Sequence, residues 1–243
     1  MRLHQKTIIL GAAAALSTAS AAAEDLFPGS LTGSAALTTE YVFRGISQTD
    51  EDPAVQASLD YAVDIFENGS LYLGIWGSNV DFNDGDEAHV EIDLYGGIKG
   101  KLDGFAWDLG LIYYAYPGAD NRLDYDFVEG KASLGHDFGF ASLTGTIFYS
   151  PDFFAGSDDA VYLLGQLAVP LPHDFALSAQ IGHQWVSDND RFGLPDYLTW
   201  GIGLSWTIKG ITLAASYFDT DISGSRCEQI CDARAVVSVS ASF

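Results

Sequence analysis

The last ten residues of the chain, 234–243, read Arg-Ala-Val-Val-Ser-Val-Ser-Ala-Ser-Phe. From Ala235 onward every second residue is apolar, most of the residues between them are serine, and the chain ends on the aromatic residue Phe243. Side chains that alternate in this way lie on opposite faces of a β-strand, whereas a helical stripe repeats about every 3.6 residues. The segment therefore predicts a strand with one apolar and one polar face.

The same alternation recurs along the chain, in segments separated by turn residues. The twelve predicted strands are 31–45, 53–66, 70–82, 88–100, 104–116, 124–137, 140–150, 160–171, 175–187, 196–209, 211–221 and 233–243. Connections after even-numbered strands are tight, such as residues 67–69, and those after odd-numbered strands are longer and mostly acidic. An even strand number with short turns on one rim and long loops on the other is typical of bacterial outer-membrane barrels. We therefore predict an all-β fold, a closed antiparallel transmembrane β-barrel of about 12 strands.

Composition excludes several other classes of protein. The 243 residues carry 33 Asp+Glu against 11 Lys+Arg, a formal charge of −22, and so lack the basic surface that a nucleic-acid partner requires. A hydrophobic content of 48% is too high for a disordered acidic chain, and 26 glycines with 12 tyrosines are unusual for a helical bundle. After residue 23, no uncharged stretch exceeds 14 residues, which is short of the roughly 20 that a membrane-spanning helix needs.

A soluble β-sandwich also alternates apolar and polar residues and also contains frequent turns. The predicted strands, however, run to about 11 to 15 residues, whereas strands of soluble sheets are usually ~5 to 6 residues long. Aromatic residues also crowd the strand ends, and the last strand ends at the chain terminus. These features favour the membrane barrel over the sandwich.

Residues 1–23 are predicted to form a cleaved signal peptide. Arg2 and Lys6 precede an apolar stretch at 7–16, and three alanines at 21–23 provide a small-residue cleavage pattern. An uncleaved membrane anchor is the alternative, but the apolar stretch is short for one. The predicted organisation is thus a signal peptide over 1–23 and an outer-membrane barrel over 24–243.

The stretch 41–49, Tyr-Val-Phe-Arg-Gly-Ile-Ser-Gln-Thr, followed by Pro-Ala-Val-Gln at 53–56, is similar to the TorF-type porin family of proteobacterial outer-membrane proteins. Further matches lie at 74–80, 91–97 and 234–243. The resemblance covers essentially the whole chain after residue 23 and is strongest in its first third. It implies a porin-like outer-membrane barrel, and it supplies neither a settled substrate nor catalytic residues.

With the apolar faces turned outward, a set of polar residues is predicted to line the lumen. These residues are Glu40, Arg44, Gln56, Asp60, Asp64, Glu91, Asp93, Lys99, Asp108, Glu129, Lys131, Gln166, Gln180, Gln184 and Lys209. Seven carboxylates face four bases in this set, and charges at such positions need either water or a partner. The set therefore predicts a wet pore or a paired internal network. Because barrels of eight strands are filled and those of roughly 16 leave a channel, twelve strands predict a narrow, partly plugged lumen.

Arg44 has two interpretations at this point. It could be a pore-lining selectivity residue, or it could be the partner that allows Glu40 and Asp60 to be buried. The second interpretation is favoured, since a buried carboxylate requires a compensating charge.

Cys227 and Cys231 lie in the last long loop, with three residues between them. In an exported chain such a pair is expected to form a small surface disulfide. The spacing is not that of a Cys-x-x-Cys motif and no histidine is nearby, so a metal site is the minor alternative.

Enzyme motifs are sparse. Some outer-membrane barrels are lipid hydrolases, and the nearest approach to their Ser–His pattern is His183 with Ser187 and Asn189. A histidine at the membrane interface beside Trp185 explains His183 without catalysis. No catalytic residue is therefore predicted.

Acidic loops at 50–52, 81–87 and 188–190 could collect hard cations through carboxylate oxygens. The calcium-loop pattern fails there in its glycine position and in its terminal acid, so a solvated acidic rim is favoured. No metal site and no cofactor are predicted.

The sequence as a whole predicts a monomer-capable porin-like barrel in the bacterial outer membrane that passes small solutes passively and prefers cations. A non-conducting barrel that acts structurally or binds through its surface loops is the alternative, and a lipid hydrolase is a third reading. The expected partners are outer-membrane lipids, small solutes or cations, and the outer-membrane assembly machinery, which would contact the C-terminal strand ending at Phe243.

Overall fold

The structure of the protein is a computed structural model that describes residues 28–83, 85, 88–223, 227 and 229–243. The predicted signal peptide lies outside the described residues. Within them the strands are β1 (Ser30–Thr38), β2 (Val42–Phe43), β3 (Ile46–Ser47), β4 (Ala54–Phe66), β5 (Gly69–Asn79), β6 (Val90–Leu102), β7 (Phe105–Ala115), β8 (Phe127–Asp137), β9 (Ser142–Ser150), β10 (Ala160–Pro170), β11 (Phe175–Val186), β12 (Tyr197–Ile208), β13 (Ile211–Thr220) and β14 (Arg234–Ser242). A single α-turn, α1 (Asn189–Phe192), and a 3-10 turn at Phe154–Gly156 lie in long loops. No helix in this part of the chain is long and apolar enough to cross a membrane.

Twelve of these strands form one closed barrel, in which each strand pairs antiparallel with its neighbours and β1 pairs with both β4 and β14. The remaining pair, β2 and β3, forms a separate two-stranded hairpin. The predicted closed barrel of about 12 strands is therefore confirmed, and the β-sandwich is excluded.

The outer face of the barrel is apolar along its whole circumference. Large apolar side chains on this face are exposed, for example Leu111 at 64%, Leu163 at 50% and Ile202 at 51%. Soluble proteins rarely expose a continuous apolar surface of this kind, whereas a lipid bilayer covers it. Aromatic pairs such as Phe66 with Trp107 and Phe175 with Trp206 stack near the short-turn rim, where interfacial aromatics sit in membrane barrels. The barrel thus spans a lipid bilayer.

The turns sort between the two rims as predicted. Two of the tight turns are the pairs Asp103-Gly104 and Lys209-Gly210, whose φ angles are all positive, at 50°, 85°, 49° and 83°. Positive φ at both central residues gives the two-residue hairpin turn whose twist matches that of the strands. Lys209 therefore occupies a turn on the short-turn rim, and its predicted place in the lumen is wrong.

The first strand is shorter than the sequence predicted, because β1 ends at Thr38 and residues 39–53 leave the barrel wall. Tyr41 and Phe43 continue the alternation of apolar residues, and for this reason the sequence predicted a single strand through residue 45. Those residues instead enter the small hairpin of β2 and β3, whose turn is Arg44-Gly45 with φ angles of 49° and 85°. We call residues 42–47 the inner hairpin, because its tip lies inside the barrel.

The barrel closes through the terminal residue. Gly33 and Phe243 exchange two backbone hydrogen bonds, of 2.8 and 3.0 Å, beyond the last paired residues of β1 and β14. The ring of Phe243 lies against Gly33, where an added Cβ would come within 2.6 Å of the ring. The glycine therefore provides the space that the terminal aromatic ring occupies on the outer face.

Deleting Phe243, or replacing Gly33 with leucine, is expected to reduce the yield of assembled barrel, because each change disrupts the seam between the first and last strands. The heat-dependent shift of the folded barrel in gel electrophoresis measures this yield. Gly145→Leu is the matched control, since that glycine lies on the outer face of β9 and a Cβ there meets no atom within 4 Å. Equal assembly of all three variants would contradict a special role for this seam.

Candidate functional site

The lumen of the barrel has two parts that differ in their access to water. Near the long-loop rim, the inward polar side chains are buried, and we call this part the sealed half. Its buried charged and amide residues are Glu40, Arg44, Glu91, Glu129, Gln184 and Arg234. Towards the short-turn rim the inward polar side chains remain accessible, and we call this part the vestibule. Its residues include Asp60, Tyr95, Lys99, Asp108, Lys131, Gln166 and Gln180.

Arg44 is at the centre of the sealed half, at the tip of the inner hairpin. Its Nη1 donates to Gln184 Oε1 at 2.6 Å, and its Nη2 donates to both carboxylate oxygens of Glu129 at 2.8 and 2.6 Å. Tyr114 adds a hydroxyl donor to the same carboxylate at 3.1 Å. Aromatic rings surround the guanidinium, with centroids 4.4 to 5.7 Å away: Phe43, Phe148, Phe153 and Tyr162. The hairpin is therefore fixed to β8 and β11 by a charge-assisted, aromatic-enclosed network.

The charge state of Arg44 follows from two opposing effects. Burial by itself would lower the pKa of the guanidinium, but the adjacent carboxylate of Glu129 offsets this, and the pKa lies above its usual value. Arg44 and Glu129 thus form a buried ion pair. Removing either partner leaves an uncompensated buried charge.

The partners predicted for Arg44 are wrong, because Glu40 and Asp60 are satisfied elsewhere. Glu40 forms a buried ion pair with Arg234, the first residue of β14, which also donates to the carbonyl oxygen of Gln229 at 2.8 Å. The reason is the path of residues 39–53, which turns Glu40 towards β14 while carrying Arg44 across the lumen. Arg234 was not among the predicted lumen residues, although the alternation of the last strand places it on the inward face.

One wall of the vestibule carries paired charges and tyrosines. Asp60 accepts a hydrogen bond of 2.5 Å from Tyr95, and Asp108 accepts one of 2.7 Å from Tyr72. Lys131 forms an ion pair with Asp108 at 3.1 Å. Tyrosine donors were missed by the sequence prediction, although they lie at inward positions of the strand alternation.

Two further predicted charges lie at the edges of this wall. The Nζ of Lys99 is 5.1 Å from the centre of the Tyr72 ring, a cation–π contact. Asp64 is exposed near the short-turn rim, where it accepts a hydrogen bond of 2.8 Å from Ser70. Asp64 is thus accessible to solutes that enter from the short-turn side.

The remaining wall is lined by small neutral residues. Hydroxyl pairs bridge neighbouring strands at Ser34 with Ser58 and at Thr207 with Thr212, at 2.8 and 2.9 Å. Gln166 and Gln180 face each other across β10 and β11. A charged wall therefore opposes a neutral, hydrogen-bonding wall.

Glu91 and Asp93 lie two residues apart on β6 and therefore share its inward face. Tyr41, which precedes the inner hairpin, donates its hydroxyl to Glu91 at 3.0 Å and packs its ring against Trp76, with centroids 5.2 Å apart. Burial, and next the nearby charge of Glu91, raise the pKa of Tyr41 well above its usual value. Tyr41 is therefore a protonated donor that connects the hairpin to the acidic pair.

Aromatic packing closes the lumen towards the long loops. Tyr114 stacks on Phe127 at 4.3 Å, and Phe153 packs edge-on against Phe127 at 4.8 Å. A second buried cluster joins Ile46 of the inner hairpin to Tyr197 and Ile222. In this structure, the long-loop end of the barrel is therefore filled by packed side chains.

Cys227 and Cys231 belong to the second cluster and are joined as a disulfide, with Cα atoms 5.7 Å apart. The loop that carries them also holds the inner hairpin, because the Ser47 N–H donates to the carbonyl oxygen of Ile230 at 2.8 Å. The disulfide loop is therefore part of the packing around the hairpin.

The histidine and the acidic loops that could serve hydrolysis or metal binding are engaged in local contacts. His183 stacks on Trp185, with ring centroids 4.1 Å apart, and Asn189 donates to Asp196 at 3.2 Å. In the acidic loops, Asp81 accepts from the backbone of Asn83, and Asp188 caps α1. Residues 84, 86 and 87 lie outside the described residues. Among those described, no group of three His, Cys, Asp or Glu side chains is placed to hold a metal ion.

A closed twelve-stranded barrel with an apolar belt and a polar interior defines the chain as a porin-like outer-membrane β-barrel. The family model described as a bacterial protein of unknown function (Gcw_chp) matches residues 22–243, and the chain belongs to that family. No curated protein sequence matches it.

Solved outer-membrane channels share this fold at low sequence identity. The NanC porin is 12% identical, with a TM-score of 0.53 over 88% of this chain and 99% of the other. An outer-membrane channel from Pseudomonas putida F1 is 10% identical, with a TM-score of 0.55 over 93% of this chain and 100% of the other. The KdgM porin, solved in complex with disordered oligogalacturonate, is 10% identical, with a TM-score of 0.56 over 88% of this chain and 99% of the other. At these identities, the comparisons show a shared fold.

Proposed function

We propose that the protein is a porin that passes small solutes passively across the outer membrane and prefers cations. The observation that carries this proposal is the vestibule, in which inward polar side chains keep solvent exposure inside a closed membrane barrel. Charges such as Asp60 and Lys99 would be costly in a dry interior, so they support an interior that contains water.

Passage requires that the inner hairpin move, because it occupies the sealed half. The hairpin is part of a loop and pairs with no strand of the barrel. It can therefore leave the lumen while the barrel wall stays intact. In this proposal, conduction occurs in the state in which Arg44 is detached from Glu129.

The cation preference rests on the charges that line the lumen. Its carboxylates are Glu40, Asp60, Asp64, Glu91, Asp93, Asp108 and Glu129, and its bases are Arg44, Lys99, Lys131 and Arg234. The excess of carboxylates is the same as the sequence predicted, with Arg234 in place of Lys209. A low-dielectric wall focuses such a field and enriches cations in the pore.

Three further elements belong to this proposal. They are assignment to the TorF-type porins, removal of residues 1–23 as a signal peptide, and recognition of the strand ending at Phe243 by the outer-membrane assembly machinery. The resemblance of residues 41–49 and the exposed terminal ring of Phe243 support the first and the third.

Single-channel recording of the barrel refolded into planar bilayers tests the proposal. We expect potassium to permeate better than chloride at low ionic strength. Asp60→Asn combined with Asp64→Asn is expected to reduce this preference about two- to fourfold, since each charge contributes roughly 0.4 kcal/mol at ~10 Å in water. The difference should shrink in concentrated salt, where the screening length falls to ~3 Å at 1 M.

Asp219→Asn is the matched control, because Asp219 lies outside the lumen, and an asparagine oxygen there can still accept one of its two hydrogen bonds, from Tyr217 or from the Thr220 N–H. We expect it to leave selectivity unchanged. An anion-selective pore would overturn the electrostatic argument.

A non-conducting barrel that binds through its loops is the second candidate function. The packed aromatic residues and the buried ion pair of Arg44 favour it, because they close the long-loop end. If neither the natural protein nor a variant lacking the inner hairpin conducts ions, this second function replaces the first.

A further inference from the structure

We propose that Glu91 and Asp93 form a proton-binding site, in which one shared proton holds the inner hairpin inside the lumen. The proton site is independent of the proposed function. Only its consequence for conduction rests on that function.

The first observation is a pair of buried oxygen atoms without donors. Glu91 is 1% exposed, and neither its Oε2 nor Asp93 Oδ1 accepts a hydrogen bond from any described residue. The two side chains lie two residues apart on the inward face of β6, so their carboxyl groups are neighbours there. Two ionised carboxylates side by side in a buried site repel, whereas a proton shared between them removes one charge and allows a hydrogen bond.

The second observation is the charge of the surroundings, taken element by element. Tyr41 faces the pair from the loop after β1, Tyr116 from the loop after β7, and Glu129 from β8. The strand neighbours are Ser78 and Trp76 on β5, which are uncharged, and Tyr114 on β7, whose hydroxyl is bonded to Glu129. On β6 itself, Tyr95 follows Asp93 on the inward face and donates its hydroxyl to Asp60.

Neither Glu91 nor Asp93 forms an ion pair with a described Lys, Arg or His side chain, and the guanidinium of Arg44 is occupied by Glu129 and Gln184. Glu91 and Asp93 therefore lack a cationic side chain of their own. A proton shared by the two carboxyl groups would supply the compensating charge that this buried pair lacks.

The site is connected to the hairpin through Tyr41. Tyr41 donates to Glu91 Oε1, and in the proposed site a proton on Asp93 provides a donor for the unpartnered Oε2. Loss of the proton leaves two adjacent buried negative charges next to the residue that anchors the hairpin. Because proton binding stabilises the seated hairpin, its seating is complete at low pH and is lost as the pH rises.

Infrared spectroscopy of the full barrel in lipid tests the proton site directly. We expect the carbonyl-stretch band of one protonated carboxyl group at neutral pH and its loss in Asp93→Asn. Asp108→Asn in the vestibule is the control, because Asp108 is already paired with Lys131, and it should keep the band. If the natural protein lacks this band at neutral pH, the proposal is overturned. It is also overturned if the carboxylate bands change when potassium or calcium is added, because a metal cation would then occupy the site in place of the proton.

The link to the hairpin has its own readout. Val42→Cys introduces a thiol in the inner hairpin, and we expect a water-soluble thiol reagent to label it faster as the pH rises. In the Asp93→Asn background, an amide N–H replaces the proton, so labelling should stay slow across the same range. If the infrared spectrum shows the protonated carboxyl group but labelling of the thiol does not depend on pH, the proton does not control the seating of the hairpin. Labelling that responds to pH without any change in conductance supports the link and contradicts only the proposed function.

Discussion

Replacing residues 42–47 with a glycine–serine segment of the same length is expected to convert the barrel from mostly closed to mostly open, with the largest change in conductance of any variant described here. The replacement removes Arg44 from its partners on β8 and β11 and removes Ile46 from the buried cluster at the long-loop rim. The barrel wall is unaffected, because β2 and β3 pair only with each other. Single-channel recording in planar bilayers measures the effect.

The same replacement at residues 120–123 is the control. That segment lies in another long loop, and its Arg122 is exposed and pairs with Asp120 in the same loop. We expect the control to conduct like the natural protein. If the variant without the inner hairpin stays closed, the lumen is obstructed by something other than this hairpin.

Replacing Glu129 with leucine is expected to destabilise the barrel by about 3 to 5 kcal/mol, because Arg44 then keeps a buried charge without its carboxylate partner. Combining Glu129→Leu with Arg44→Met should recover most of this loss, since an apolar pair of similar size avoids the cost of burying two charges. Reversible urea unfolding of the barrel in lipid vesicles measures the three stabilities and gives the coupling between the two residues.

The exposed pair of Arg122 and Asp120 serves as the comparison for this cycle. Its partners lie two residues apart at the surface, where solvent screens the charges. Asp120→Asn should therefore change the unfolding transition little. A similarly small effect of Glu129→Leu would mean that the sealed half contains enough water to stabilise a lone guanidinium.

The wall of the barrel could be predicted from sequence because each strand repeats its apolar residues with a period of two and each rim has its own kind of turn. The contents of the barrel could not be predicted in the same way. Residues 39–47 alternate like the strand before them, and local pattern alone does not distinguish a strand that continues from a hairpin that turns inward. The partners of Arg44 lie 85 and 140 residues further along the chain, so its pairing depends on the path of a loop.

The tyrosine donors show the same limit. Tyr72, Tyr95 and Tyr114 all lie at inward positions that the alternation defines, but their hydroxyls reach carboxylates on other strands, at distances set by the curvature of the barrel. The alternation of apolar and polar residues therefore predicts which face of the sheet each tyrosine occupies. The carboxylate that it contacts depends on the closed shape of the barrel.

The ion pair between Glu40 and Arg234 joins residues that are 194 positions apart, near the two ends of the chain. Its two residues flank the seam where β1 meets β14, and contacts of such long range form late because the intervening chain must first be ordered. The hydrogen bond from Ser47 to Ile230 imposes the same order on the inner hairpin. An assembling chain whose last strand is still unpaired therefore lacks both contacts, and its inner hairpin is held by the bonds of Arg44 to β8 and β11.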